Sequence, residues 1–153
     1  MAYYTRVLQP GETVRYVGRL HWIIYKQTIL FAFLTLCSIF VLFDEPASQR
    51  AIMLAVLLVF LALTVGSFLR SWWHRLGTEI AVTDKRIIYK VGLIARHTEE
   101  MNVSKVESVD VVQGISGRLL GYGSVSIRGT GASWEPLTRI ATPLALRNAI
   151  IVG

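Results

Sequence analysis

The chain is expected to join a membrane-spanning α-helical hairpin to a small antiparallel β-barrel or sandwich capped by a C-terminal helix. Three observations carry that expectation. Residues 27–43 and 51–69 form two apolar runs without a single formal charge. Beyond Gly77 the pattern changes to short alternating segments punctuated by Gly-containing turns, the signature of an antiparallel sandwich or barrel. The end of the chain, from Thr142-Pro143, pairs a helix-starting dipeptide with Leu144, Leu146, Ile150 and Ile151,.

The two runs are long enough for lipid. At about 1.5 Å rise per residue each reaches roughly 26–28 Å, close to the hydrocarbon thickness of a bilayer. A helix satisfies its own backbone hydrogen bonds there, and neither run has the polar face of a soluble amphipathic helix. The connection Asp44-Glu45-Pro46-Ala47-Ser48-Gln49-Arg50 is too short to hold a domain. The spans are therefore expected over about residues 23–43 and 51–70, as an antiparallel hairpin within 22–75.

Charge sets the expected orientation. Arg6, Arg15, Arg19 and Lys26 precede the first run, and Arg70 and Arg75 follow the second. The intervening turn carries Asp44 and Glu45 against Arg50. Lys and Arg favour the cytoplasmic side, so both termini are expected there. Trp22, Tyr25, Lys26, Arg70, Trp72, Trp73 and Arg75 occupy the positions of an inner interfacial belt. No cleavable leader is read at the start, because mixed polar residues precede the apolar run.

The net charge of +6 does not indicate nucleic acid. Residues 76–153 hold nine basic and seven acidic side chains, so most of the excess lies beside the membrane helices,. Cys37, the single cysteine, is expected to be a small apolar filler in the first helix,.

Taken in order, residues 1–21 are an N-terminal arm. Pro10-Gly11 signals a turn, and Val14 and Tyr16 alternate with Arg15 and Val17 as in a short strand. That strand can join the following sheet, or the arm can lie on lipid. Residues 76–153 form the β domain. Strands are read at 78–82, 86–91, 93–101, 105–112, 124–128 and 134–141. Gly114 to Gly123 interrupts them as a loop or single helical turn, and Gly129-Thr130-Gly131 makes a hairpin. Trp134 reads equally as a core plug or an exposed anchor. The terminal helix would plug one end of the curved sheet.

Thr83-Asp84-Lys85-Arg86-Ile87-Ile88-Tyr89, Gly92-Leu93, Val106-Glu107-Ser108-Val109 and Gly117-Arg118-Leu119-Leu120-Gly121-Tyr122-Gly123-Ser124-Val125 resemble the bacterial pleckstrin-homology-like (PH-like) domain. The whole chain is similar to small bacterial inner-membrane proteins in which a two-helix hairpin precedes that domain. Leu8-Gln9-Pro10-Gly11-Glu12 and Gly18-Arg19-Leu20-His21-Trp22 fit the same pattern. The resemblance implies a partly open barrel of PH-like type capped by a helix, and it implies no agreed activity. About six strands are read after Gly77 where that fold has seven, so either the arm supplies the missing one or a segment read as loop is a strand.

No catalytic constellation emerges. His21, His74 and His97 are far apart, and no metal-protease, nucleophile-elbow or phosphate-loop motif is present,. The segment 117–123 lacks the Lys of a nucleotide cradle and reads as turn geometry. Glu99 and Glu100, being adjacent, point to opposite faces of a strand and make a poor acid–base pair. Neither a cofactor nor a metal is called for, and the chain is expected to bind rather than catalyse.

PH-type folds generally place anionic headgroups near their first strand-to-strand turn. By that resemblance Lys85, Arg86 and Lys90 are candidates for lipid or partner binding, with Arg118 and Arg128 as further basic positions. Two roles follow: a self-associating scaffold recruiting a protein partner, or a sensor of anionic lipid headgroups in the envelope stress response. A pore is disfavoured, since no ionisable residue lies in either run. For helix packing, Ala51, Ala55, Ala62 and Gly66 make one stripe of small residues and Thr28, Ala32 and Thr35 another. These stripes are expected to face each other or a neighbouring copy in a homo-oligomer.

Overall fold

The computed structural model describes residues 3–44 and 46–151. The segment up to His21 and the segment from His74 onward make one compact unit, while Trp22–Trp73 make a second.

The second unit is the hairpin. A 3-10 turn over Trp22–Tyr25 leads into α2 (Lys26–Asp44), numbered after a short N-terminal helix α1 (Tyr4–Val7), and α3 spans Arg50–Gly77. The two long helices pack together, and both are long and apolar enough to cross a membrane,. The α2 seam contains Thr28, Phe31, Leu34, Thr35 and Ser38. On α3 it contains Met53, Leu57, Phe60, Thr64, Ser67 and Ser71, which alternate four and three apart along one face of the helix,. Thr35 and Thr64 share a hydroxyl contact of 3.1 Å across the seam. Each hydroxyl also lies 2.8 Å from the carbonyl four residues earlier, Phe31 O and Phe60 O. Ser71 Oγ donates to Ile24 O at 3.2 Å, and Tyr25, Phe68 and Trp72 stack in sequence. The remaining faces are exposed Leu, Ile, Val and Phe, an apolar band that water does not tolerate at this size,.

The expected small-residue packing is therefore corrected within the hairpin. Thr28 and Thr35 do lie along the seam, but Ala32, Ala51, Ala55, Ala62 and Gly66 face outward. The bifunctional Thr pair fixes the contact instead, because a hydroxyl can bond both its own helix and its neighbour.

The first unit is built from two antiparallel sheets. One has the order β1 (Val14–Gly18), β2 (Glu79–Thr83), β3 (Arg86–Val91), β4 (His97–Asn102). The other has β5 (Val106–Val112), β6 (Tyr122–Gly129) and β7 (Ala132–Ser133), with β8 (Leu137–Ala141) also pairing β6. The arm thus supplies β1, paired with β2 in the register Val17↔Ala81 and Gly18↔Ile80. Beyond β1 the chain continues alongside β8: Leu20 bridges Ile140, His21 N donates to Arg139 O at 2.8 Å, and Ala141 N donates to Arg19 O at 2.9 Å. This joins the two sheets along one edge. Seven strands follow Gly77, the additional one being the two-residue β7, and the segment 92–96 is a turn rather than strand.

Ile80, Val82, Ile87, Ile88, Val125, Ile127, Leu137 and Ile140 are almost fully buried. Helix α5 (Pro143–Ile151) closes this core with Leu146 and Ile150, packing on β1, β2, β5 and β6. The Thr142 hydroxyl, expected to cap α5, instead meets the Tyr16 hydroxyl at 2.8 Å, and Thr142 has φ 48°. Trp134 is half-buried with its ring tilted against Tyr89 at 6.1 Å.

Candidate functional site

The β-unit offers two basic regions, and their side chains meet opposite fates. At the β2–β3 turn, Thr83 ends one strand and Arg86 starts the next. The Thr83 hydroxyl accepts from Arg86 N at 2.9 Å, closing the turn, and reaches Glu12 Oε1 at 2.7 Å. Glu12 arrives there because the turn at Gly11 (φ 78°) folds the arm back, with Gln9 N donating to Glu12 Oε2 at 2.8 Å. Asp84 holds the same arm: Thr13 N donates to Asp84 Oδ1 at 3.0 Å, and Asp84 N donates to Thr13 O at 3.1 Å.

The arm brings its only carboxylate onto Arg86. Arg86 Nε donates to Glu12 Oε1 and Nη2 to Glu12 Oε2, both at 3.0 Å. Nη1 reaches Glu100 Oε2 at 2.7 Å and Nη2 reaches Val7 O at 2.6 Å. The Glu12 side chain is wholly buried and that of Arg86 is 14% exposed. This fork-to-fork bonding by Arg86, overcoming the opposing effect of burial, lowers the Glu12 carboxyl from 4.5 to about 2,. The same bonds raise the Arg86 guanidinium.

Arg86 is thus corrected from a ligand-binding candidate to an internal tie between arm and sheet. It donates four hydrogen bonds to protein acceptors. Lys90 is corrected for the same reason: it is 5% exposed, pairs with Glu79 at 3.4 Å and lies over the Tyr3 ring. Arg128 stands exposed on β6 opposite Asp110, 3.6 Å away. Lys85, at the turn, and Arg118, on the short helix α4 (Ile115–Leu120), are exposed. The five basic candidates do not form one cluster.

The second region lies where β6 meets β8. Gly123 pairs with Ile140 and Val125 with Leu137, so the single residue Ser124 faces both Thr138 and Arg139. That is a β-bulge, and Arg139 adopts the left-handed region at φ 59°,. A groove of about 390 Å³ opens there, bounded by Ser116, Tyr122, Ser124, Thr138 and Arg139. The Ser116 and Tyr122 hydroxyls meet at 2.8 Å, and the His21 ring packs on Tyr122 at 5.3 Å. Close approach explains the glycines beside it. A Cβ on Gly117 would lie 2.6 Å from Tyr122 O, and one on Gly123 would lie 2.7 Å from Gln113 Cγ,. The segment 117–123 is the end of α4, a left-handed Gly121 (φ 77°) and the first residues of β6.

Two residues of these regions escaped the sequence reading. Glu12 had a faint signal, as the lone acid in a basic arm. Arg139 had none, because its position depends on a bulge created by pairing with β6. Among the described residues no group of His, Cys, Asp and Glu has the arrangement to hold a metal ion.

Residues 29–151 match the family model described as bacterial PH domain. No curated protein matches the chain, and no solved structure does.

Proposed function

Since the chain belongs to the bacterial PH-domain family, we propose that it is a membrane-anchored, non-catalytic binding module, displayed on the cytoplasmic face of the bacterial inner membrane. It self-associates and recruits a protein partner through its β-unit. The observation that carries this reading is the β1–β2 pairing. The first of these strands precedes the hairpin and the second follows it. A sheet assembled from both needs the two flanks on one side of the membrane, which two spans provide. The Lys and Arg flanking the helices favour the cytoplasmic side,.

Self-association draws support from the outward face of α3. Ala51, Ala55, Ala62 and Gly66 are exposed, and a Cβ on Gly66 would meet nothing within 4 Å. In lipid, helices associate where small residues allow close approach. Mass measurement of the full chain in lipid nanodiscs tests this, with Gly66→Leu as the variant. An oligomer that Gly66→Leu reduces to monomer is expected, and a wild-type monomer ends the scaffold reading. Reporter fusions after Gly153 and within the turn at Ala47 should lie on opposite sides, with the Gly153 fusion cytoplasmic.

A further inference from the structure

From the second basic region we infer that the groove between α4 and the β6–β8 bulge is a binding site for the phosphate of an anionic phospholipid, with Ile115 and Leu119 entering the bilayer beside it. The inference goes beyond partner recruitment and uses none of the residues at the β2–β3 turn.

Charge comes first. Between Val111 and the end of the chain, Arg118, Arg128, Arg139 and Arg147 stand against one acidic side chain, Glu135. No described carboxylate forms an ion pair with Arg139 or Arg118, whereas Arg86 and Arg128 are each paired. The groove beside Arg139 is lined by the hydroxyl-bearing residues Ser116, Tyr122, Ser124 and Thr138. A guanidinium beside hydroxyl-bearing side chains suits a phosphate diester.

Backbone conformation supplies the second argument. The left-handed region is unfavourable for a residue with a Cβ, and Gly or Asn would fit it better. The bulge nevertheless carries an arginine at φ 59° and puts it at the groove. A bulge beside a site redirects a side chain in this way.

The apolar rim selects lipid over a soluble phosphate. Ile115 and Leu119, one helical turn apart on α4, are 92% and 84% exposed,. Such side chains next to unpaired arginines match the boundary between headgroups and acyl chains.

The test uses the full chain with Cys37→Ser and Leu119→Cys, the new thiol carrying an environment-sensitive fluorophore. It is reconstituted into phosphatidylcholine, or into equal parts phosphatidylcholine and phosphatidylglycerol, each containing an acyl-chain quencher. Quenching is expected in the anionic bilayer and not in the neutral one. Arg139→Asn and Arg118→Gln should each lower the bilayer-bound population about fivefold, and high salt should abolish it. Asn suits the left-handed backbone, so an unchanged unfolding midpoint should accompany the loss. Equal quenching in neutral lipid, or no quenching in either, overturns the site. Relief by inorganic phosphate, but not by chloride of the same ionic strength, would place a soluble phosphate ligand in the groove. A fluorescence change seen only when bacterial cytosol is added would place a protein there. Either result overturns the lipid assignment.

Discussion

Arg86 and Arg139 are the same residue type in one small unit, and the protein uses them in contrasting ways. Arg86 is enclosed by Glu12, Glu100 and the Val7 carbonyl, so its charge is spent internally in holding the arm to the sheet. Arg139 stands in a bulge, exposed and without a described ionic partner, beside a hydroxyl-rich groove. Basic residues near a turn therefore do not by themselves identify a ligand site. What matters is whether the fold delivers a carboxylate to them. In a near-balanced domain that delivery depends on long-range contacts: Glu12 is 74 residues from Arg86.

Glu12→Ala tests this contrast most severely. It leaves a largely buried guanidinium short of its main partner, and about 3 kcal/mol of stability should be lost from the β-unit. Unfolding of the full chain in detergent, followed by near-ultraviolet circular dichroism, measures it. Adding Arg86→Met to that variant should recover part of the loss, because removing both members of a buried pair costs less than removing one. An unchanged midpoint for Glu12→Ala would deny that the arm is locked.

Acid provides a second approach. The Glu12 carboxyl, at about 2 in the folded unit against 4.5 otherwise, is held down first by its hydrogen bond from Arg86. Its contribution is present above about pH 4.5 and is lost as the pH falls through about 2, amounting to about 3 kcal/mol at neutrality,. Stability should therefore drop across this window in the wild type. The drop should flatten in Glu12→Gln.

Gly123→Ala probes the other region with a smaller effect. Its methyl would press on Gln113 and on the Val112 carbonyl 2.9 Å away, so a loss of about 1–2 kcal/mol is expected,. The smallest change belongs to Arg139→Gly. Relief of the left-handed strain should leave stability unchanged or raise it by up to about 1 kcal/mol. A large loss there would mean that Arg139, like Arg86, serves the fold.

Much of the architecture is dictated locally and could be read from the residues. The uncharged runs at 27–43 and 51–69 admit only helices in lipid, and Lys and Arg at their flanks bias the orientation. Alternation in Ile80, Val82, Ile87 and Val125, with glycines at the turns, gives strands whose buried faces are fixed by their period of two. Pro143 after Thr142 marks the start of the last helix, and Leu146 and Ile150 are its inward residues.

Long-range contacts settled the rest. Only pairing with β2 makes the arm a strand, since Val14–Gly18 is too short to be stable alone,. Only the close packing of the two helices chose the Thr35–Thr64 face over the small stripe, because small side chains suit an intramolecular and an intermolecular contact equally,. The fates of Arg86 and Arg139 likewise lay outside local sequence. A salt bridge needs its partner in space and a bulge needs its neighbouring strand, and both are made by residues far along the chain.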